Sequence, residues 1–187
     1  MSKRFPVPDF DRDLFKNLPW TEPSTLSPEE VSTLSDTSQQ TEGSAIGAYP
    51  VAVSAELAGR FEFKMDGKSA VMCILPAKEV LMSGRSWAWP IQRALIIDSL
   101  DPGRATVLAD WKTPRPMNTR LGPDKGIVLP ARIVFVLCGH QYADHWIANR
   151  ILVSNDEDGP VRGFSLLSAS DDRINDFHSC NLTFSWD

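Results

Sequence analysis

The chain has 187 residues, 42% of them hydrophobic, and a formal net charge of −5. That length allows one domain with appendages and a sizeable core. The charge excludes the basic field that dominates nucleic-acid affinity, and no apolar run approaches the length needed to cross a bilayer.

The opening MSKRFPVPDFDRD lacks the apolar core of a signal peptide. Three cysteines without framework spacing agree with a reducing compartment. A cytoplasmic protein is therefore predicted. The acids are unevenly placed: residues 17–59 hold acids and no Lys or Arg, while residues 60–187 balance 15 bases against 15 acids.

Taken in order, residues 1–20 place Phe10, Leu14 and Leu18 at helical spacing, with Pro6, Pro8 and Pro19 around them. This predicts a short amphipathic helix, packed on its own domain or, in a sharper reading, docking a protein partner through residues 5–20. Residues 21–44 are linker-like, with 11 Ser or Thr and few large apolar side chains to offset ordering entropy. Within them Ser27-Pro28-Glu29-Glu30 has the capping-box pattern, which predicts a helix from Pro28 to about Leu34.

From Tyr49 the pattern becomes strands and turns. Tyr49–Leu57 alternates loosely, and Arg60–Met65 alternates strictly before Asp66-Gly67. That dipeptide predicts a hairpin in which Phe63 faces Ala70 and Phe61 faces Met72. Ala77–Met82 reads as one helical turn. Ser86–Pro90 carries Trp87 and Trp89 on one extended face. Arg93–Leu100 and Ala105–Trp111 read as strands joined by the turn Asp101-Pro102-Gly103-Arg104. Residues 112–126 form a long loop bearing Lys112, Arg115, Arg120 and Lys125 against Asp124, a candidate anion-binding lid.

The longest apolar run, Ile127–Leu137, is rich in Val and Ile and reads as a strand buried on both faces, split by Pro130. It runs into Cys138-Gly139-His140, where the glycine predicts a bend, then Tyr142, Asp144 and His145. His145–Asn155 and Pro160–Ala169 read as a hairpin, and His178–Trp186 as the last strand. Consecutive strands at short spacing, without helix-strand alternation, predict a mainly β fold. The expected architecture is a single antiparallel β-barrel or β-sandwich over residues 45–187, with a short helical or disordered arm over 1–44.

Three constellations carry chemistry. Cys138-x-His140 and His178-x-Cys180 would form a tetrahedral zinc set if their strands were neighbours. His140, Tyr142, Asp144 and His145 form an acid-base cluster, since a carboxylate can orient a histidine that titrates near neutral pH. Trp87, Trp89 and Trp111 can wall an apolar pocket, with Arg115 and Arg120 holding an anionic group. The leading expectation is a barrel that binds a small, largely apolar or amphipathic molecule. Whether it is an enzyme stays open; if it is one, the expected step there is that of an isomerase, cyclase or lyase, with no metal and no cofactor. His140, Tyr142, Asp144 and His145 would be catalytic, and the three indoles and two arginines ligand-binding. The alternatives are a non-enzymatic module docking a protein through its acidic arm, and a domain with a structural zinc site. Nucleic acid and membrane are not expected partners, and oligomerisation stays open.

Overall fold

The computed structural model describes residues 25–40, 46–65, 70–88, 90–115, 118–155, 162–169 and 179–187. In chain order the elements are α1 (Pro28–Gln40), β1 (Gly47–Val51), α2 (Ala55–Arg60), β2 (Phe63–Lys64), β3 (Ala70–Ile74), β4 (Leu81–Ser86) and β5 (Gln92–Ile97). There follow β6 (Val107–Lys112), β7 (Thr119–Leu121), β8 (Ile127–Val128), β9 (Ile133–Tyr142), β10 (His145–Ala148), β11 (Arg150–Asn155), β12 (Arg162–Ala169) and β13 (Cys180–Trp186).

The fold is mainly β, and among the described residues its strands form two sheets rather than one closed barrel. The first is centred on β9. On one side β9 pairs with β5, which pairs with β6. On its other side the first half of β9 pairs with β3, beyond which lies β1, and the second half pairs with β10. The second sheet runs β11-β12-β13-β4, with β7 and β8 sharing the far side of β4.

The two sheets share one apolar layer. Val134, Val136 and Cys138 of β9, with Ala94 and Ile96 of β5, meet Phe164 and Leu166 of β12 and Leu182 and Phe184 of β13. Alternate residues of the first sheet point the other way. Phe135, Leu137, Leu95, Ile97 and Met72 form a second cluster covered by Leu57, Ala58 and Phe61 from and beside α2 and by Val31 of α1. The run read as a strand buried on both faces is therefore β9, and Pro130 separates it from β8 as its missing donor requires.

Several local expectations need correction. The stretch Tyr49–Leu57 is not one strand: the Ser54 hydroxyl accepts from Leu57 N at 3.1 Å and caps α2, which then consumes residues 55–60. Glu62 follows at φ 63°, so only Phe63 and Lys64 remain extended. The Asp66-Gly67 turn lies outside the described residues, and the pairing expected around it is not formed. Ala70 and Met72 pair with Val51 and Tyr49 and with Leu137 and Phe135, while Phe63 pairs in parallel with Trp146. Residues expected as a helical turn before Met82 instead lead into β4.

Gly139 does not bend the chain. It lies inside β9, where an added Cβ would fall 2.5 Å from the Phe63 ring and 2.8 Å from the Ile147 carbonyl. The glycine serves close packing there rather than a turn.

The capping box is present, with Ser27 N donating to Glu30 Oε2 at 2.8 Å and Glu30 N to the Ser27 hydroxyl at 3.3 Å. Its helix runs on to Gln40, past the expected end. Leu26 joins it to the body through a parallel bridge to Val51. The expected helix over Phe10–Leu18 lies outside the described residues. No helix among the described residues is long and apolar enough to cross a membrane.

Candidate functional site

The predicted acid-base cluster is divided by the fold. β9 continues through His140 and Gln141 to Tyr142, and the chain reverses at Ala143 and Asp144 into β10. Ala143 takes φ 51°, as a two-residue hairpin turn demands. Tyr142, Asp144 and His145 are exposed on this tip, with Tyr142 at 67%. His140 faces inward, two residues from Cys138, and does not join them. The four are thus not one constellation.

His140 instead ends a chain of buried amides. Gln92 Nε2 donates to the Pro90 carbonyl at 3.0 Å, which leaves Gln92 Oε1 to accept from Asn149 Nδ2 at 2.9 Å. The same Asn149 nitrogen donates to the Ser168 hydroxyl at 3.1 Å. Asn149 Oδ1 then faces His140 Nδ1 at 2.7 Å, so the ring nitrogen is the donor. This order assigns the proton of neutral His140 to Nδ1 and the lone pair to Nε2. Asn149 is 1% exposed and stands where the chain leaves β10 for β11, crossing from the first sheet to the second. The network satisfies polar groups at that crossing.

Cys138 and Cys180 do meet, from opposite sheets, with Cys73 nearby. All three are free and buried. A hydrogen bond shared with Cys180, which favours the protonated Cys138 thiol, together with desolvation pushes that thiol well up, and burial alone pushes Cys73 up. His178 lies outside the described residues, and among the described residues no group of three His, Cys, Asp or Glu is placed to hold a metal.

The predicted ligand-binding residues separate as well. Trp111 lies on the inner face of β6, partly buried, and its indole packs on Gly122, where φ is +90° and a Cβ would meet the ring at 2.5 Å. Arg115 is exposed in the loop after β6, and Trp89 lies outside the described residues. Trp87 and Arg120, by contrast, come to one place: the outward face of the second sheet, at the end of β4.

That place is built by strand pairing. Arg85 and Arg120 are direct partners across β4 and β7. Their long loop is thus not structureless, since β7 anchors it to β4. Arg85 donates from Nε and Nη2 to Asn118 Oδ1, at 3.2 and 2.7 Å, and its guanidinium lies 5.5 Å from the centre of the Trp87 ring. Arg120 pairs with Asp124 at 2.7 Å, with both side chains well exposed. Trp87 is 40% exposed. Beside Arg85 in register stands Asn181, whose Oδ1 is buried and has no partner among the described residues. The next row carries hydroxyls, Ser165 beside Thr183 beside Ser83.

Arg85, Asn118 and Asn149 were not found from sequence. Asn118 and Arg120 join Arg85 only through the β4–β7 register, more than 30 positions away, and no local pattern marks a crossing asparagine.

No family model matches the chain, and no curated protein matches it in sequence. Among solved structures it is similar to three bacterial lectins. A Chromobacterium violaceum lectin in complex with α-methyl-fucoside has a TM-score of 0.46 and 14% identity, over 62% of this chain and 95% of that one. A Ralstonia solanacearum high-affinity mannose-binding lectin scores 0.47 at 13% identity, over 62% and 95%. The C-terminal domain of a Burkholderia cenocepacia lectin scores 0.48 at 16%, over 62% and 94%.

The expectation of an isomerase, cyclase or lyase acting on an apolar substrate inside a barrel is therefore corrected. The sheets do not close into a barrel, and the layer between them is filled by the side chains of the shared core.

Proposed function

We propose that residues 45–187 form a β-sandwich that binds a carbohydrate on the outward face of its second sheet, with residues 1–44 as an arm. The observation that carries this reading is the half-exposed Trp87 ring flanked by Arg85, itself held by Asn118. An indole face presents a flat apolar surface with an electron-rich centre, suited to the C–H face of a sugar ring. The planar donors of a guanidinium suit paired oxygen acceptors at fixed spacing. Neighbouring Ser and Thr hydroxyls, which both donate and accept, extend the polar surface beside it.

The bound molecule would lie on the face rather than between the sheets. Trp87 is the platform, and Arg85, Asn118 and Arg120 are the polar contacts. Binding of the purified chain to a printed array of neutral, carboxylated and sulfated glycans tests the reading. The expected result is a restricted set of bound glycans, lost in Trp87→Ala with an unchanged melting temperature. An array that stays blank, or binding that Trp87→Ala leaves intact, overturns it.

A further inference from the structure

We infer that the saccharide held on this face carries a carboxylate, which sits between Arg85 and Arg120; this rests on the carbohydrate reading above. Two like charges directly opposite on neighbouring strands disfavour the pairing that brings them there. The fold relieves the two arginines unequally. Arg85 has a neutral partner, Asn118, which supplies an acceptor and no charge. Arg120 has Asp124, through one exposed contact spaced four residues apart. Such exposed pairs contribute little and exchange readily with solvent. Among the described residues the face therefore keeps one guanidinium without a counter-charge and a second whose counter-ion is easily displaced.

An anion placed between them meets the guanidinium donors that Asn118 leaves open on Arg85 and, once Asp124 is displaced, the fork of Arg120, an arrangement that suits a planar carboxylate. The anion's position also follows from Trp87. Its ring lies against Arg85, so a sugar stacked there presents a ring substituent to the two guanidinium groups. The rest of the chain does not attract polyanions, because residues 60–187 are electrically balanced and the whole is acidic. Selectivity must then come from the local pair and not from a general field.

The test compares trigalacturonate with its fully methyl-esterified form by isothermal titration calorimetry, a pair matched in shape and differing in charge. Trigalacturonate is expected to bind at least about tenfold more tightly, with the advantage shrinking as salt rises. Arg85→Gln and Arg120→Gln each reduce the ratio toward one, while Trp87→Ala weakens both ligands. Arg120 is exposed, so its variant is expected to keep the parent melting temperature. Equal binding of the two ligands overturns the carboxylate inference and leaves the carbohydrate reading standing. So does failure of both where the array shows binding of neutral glycans only. A blank array together with no heat from either ligand overturns both.

Discussion

The two sheets answer different physical demands. The first is covered on both faces, by the second sheet on one side and by α1, α2 and Phe61 on the other. The second is covered on one face and presents Ser83, Arg85, Thr183 and Leu81 to solvent on the other. A strand with two buried faces must be apolar at every position, whereas a strand with one must alternate. β9 reads IVFVLCGHQY and β13 reads CNLTFSW with burial at every second residue, as those rules require. The first sheet thus buries both of its faces, and the second leaves one face to solvent.

A matched pair of leucines on the outward faces tests this division most severely. Leu137 of β9 is fully buried in the outer cluster, while Leu167 of β12 is half-buried. Leu137→Ala is expected to destabilise the fold by about 2–5 kcal/mol, through lost transfer energy and the cavity left behind. Leu167→Ala is expected to cost about 1 kcal/mol or less, since much of its surface stays hydrated. Urea melts of the two variants give both figures, and equal losses would remove the distinction between the sheets.

The arginines make the same contrast in polar form. Arg93, 5% exposed, grips both oxygens of Asp110 at 2.8 Å and donates to the Phe61 carbonyl, lying over the rings of Phe63 and Trp146. It ties β5 and β6 to the α2 corner. Arg93→Met strands a buried carbonyl and one partner of the ion pair, with an expected loss of about 2–3 kcal/mol. Arg85→Gln on the exposed face is expected to change stability by less than about 0.5 kcal/mol. A loss of similar size in both would show that Arg85 is structural, against the role assigned to it.

How much was legible follows the same line. Two-face burial of β9 was written in its unbroken apolar run, the Pro130 break in a missing N–H, and the helix start in Ser27 and Glu30. The turn at Asp101 was equally local: Arg104 N donates to Asp101 O at 3.0 Å, and Gly103 N to its carboxylate at 2.9 Å. What stayed hidden depended on distant partners. Ser54 could cap a helix only if Tyr49–Leu57 were not one strand, and the alternation there argued that it was. Gly139 looked like a bend because glycine has two uses, and its use here is set by Phe63, 76 positions away. The cluster at His140–His145 was close in sequence, yet a strand puts neighbours on opposite faces and a hairpin tip puts the rest in solvent. Of the site proposed here, Trp87 and Arg120 were singled out from sequence, and the strand register that joins them to Arg85 was not.

The shared layer between the sheets makes a smaller, pH-dependent prediction. The thiols of Cys138 and Cys73 are held above their ordinary value of 9.0 in the folded chain. A raised folded pKa means that the stabilising contribution is complete below the unfolded value and lost as pH rises past it. Between about pH 8 and pH 9.5 the unfolded chain gains thiolates that the folded chain does not, a loss on the order of 1–2 kcal/mol. Urea midpoints at the two pH values measure it, with a Cys73→Ala, Cys138→Ala chain as reference. An unchanged pH dependence in the reference would show that other groups cause the loss. Alkylation by iodoacetamide under native conditions is expected to be slow for the same reason.

The smallest effect is expected where the second sheet meets water. Thr183 is exposed in the centre of that sheet, between Ser165 and Ser83. Its hydroxyl lies 3.4 Å from that of Ser165, long for a bond between hydroxyls, so little is lost with it. Thr183→Val keeps the branch at Cβ that suits an extended backbone. It adds no buried volume, because the side chain points away from the core. Stability is therefore expected to stay within about 0.5 kcal/mol of the parent. The hydroxyl matters instead to what the face can bind: a methyl in its place breaks the polar row next to Arg85. If the row takes part in recognition, Thr183→Val lowers glycan affinity with the melting temperature unchanged. If binding is unaffected, recognition is confined to Trp87 and the arginines, and the hydroxyl row is simply the hydrated side of a sheet whose other side does the packing.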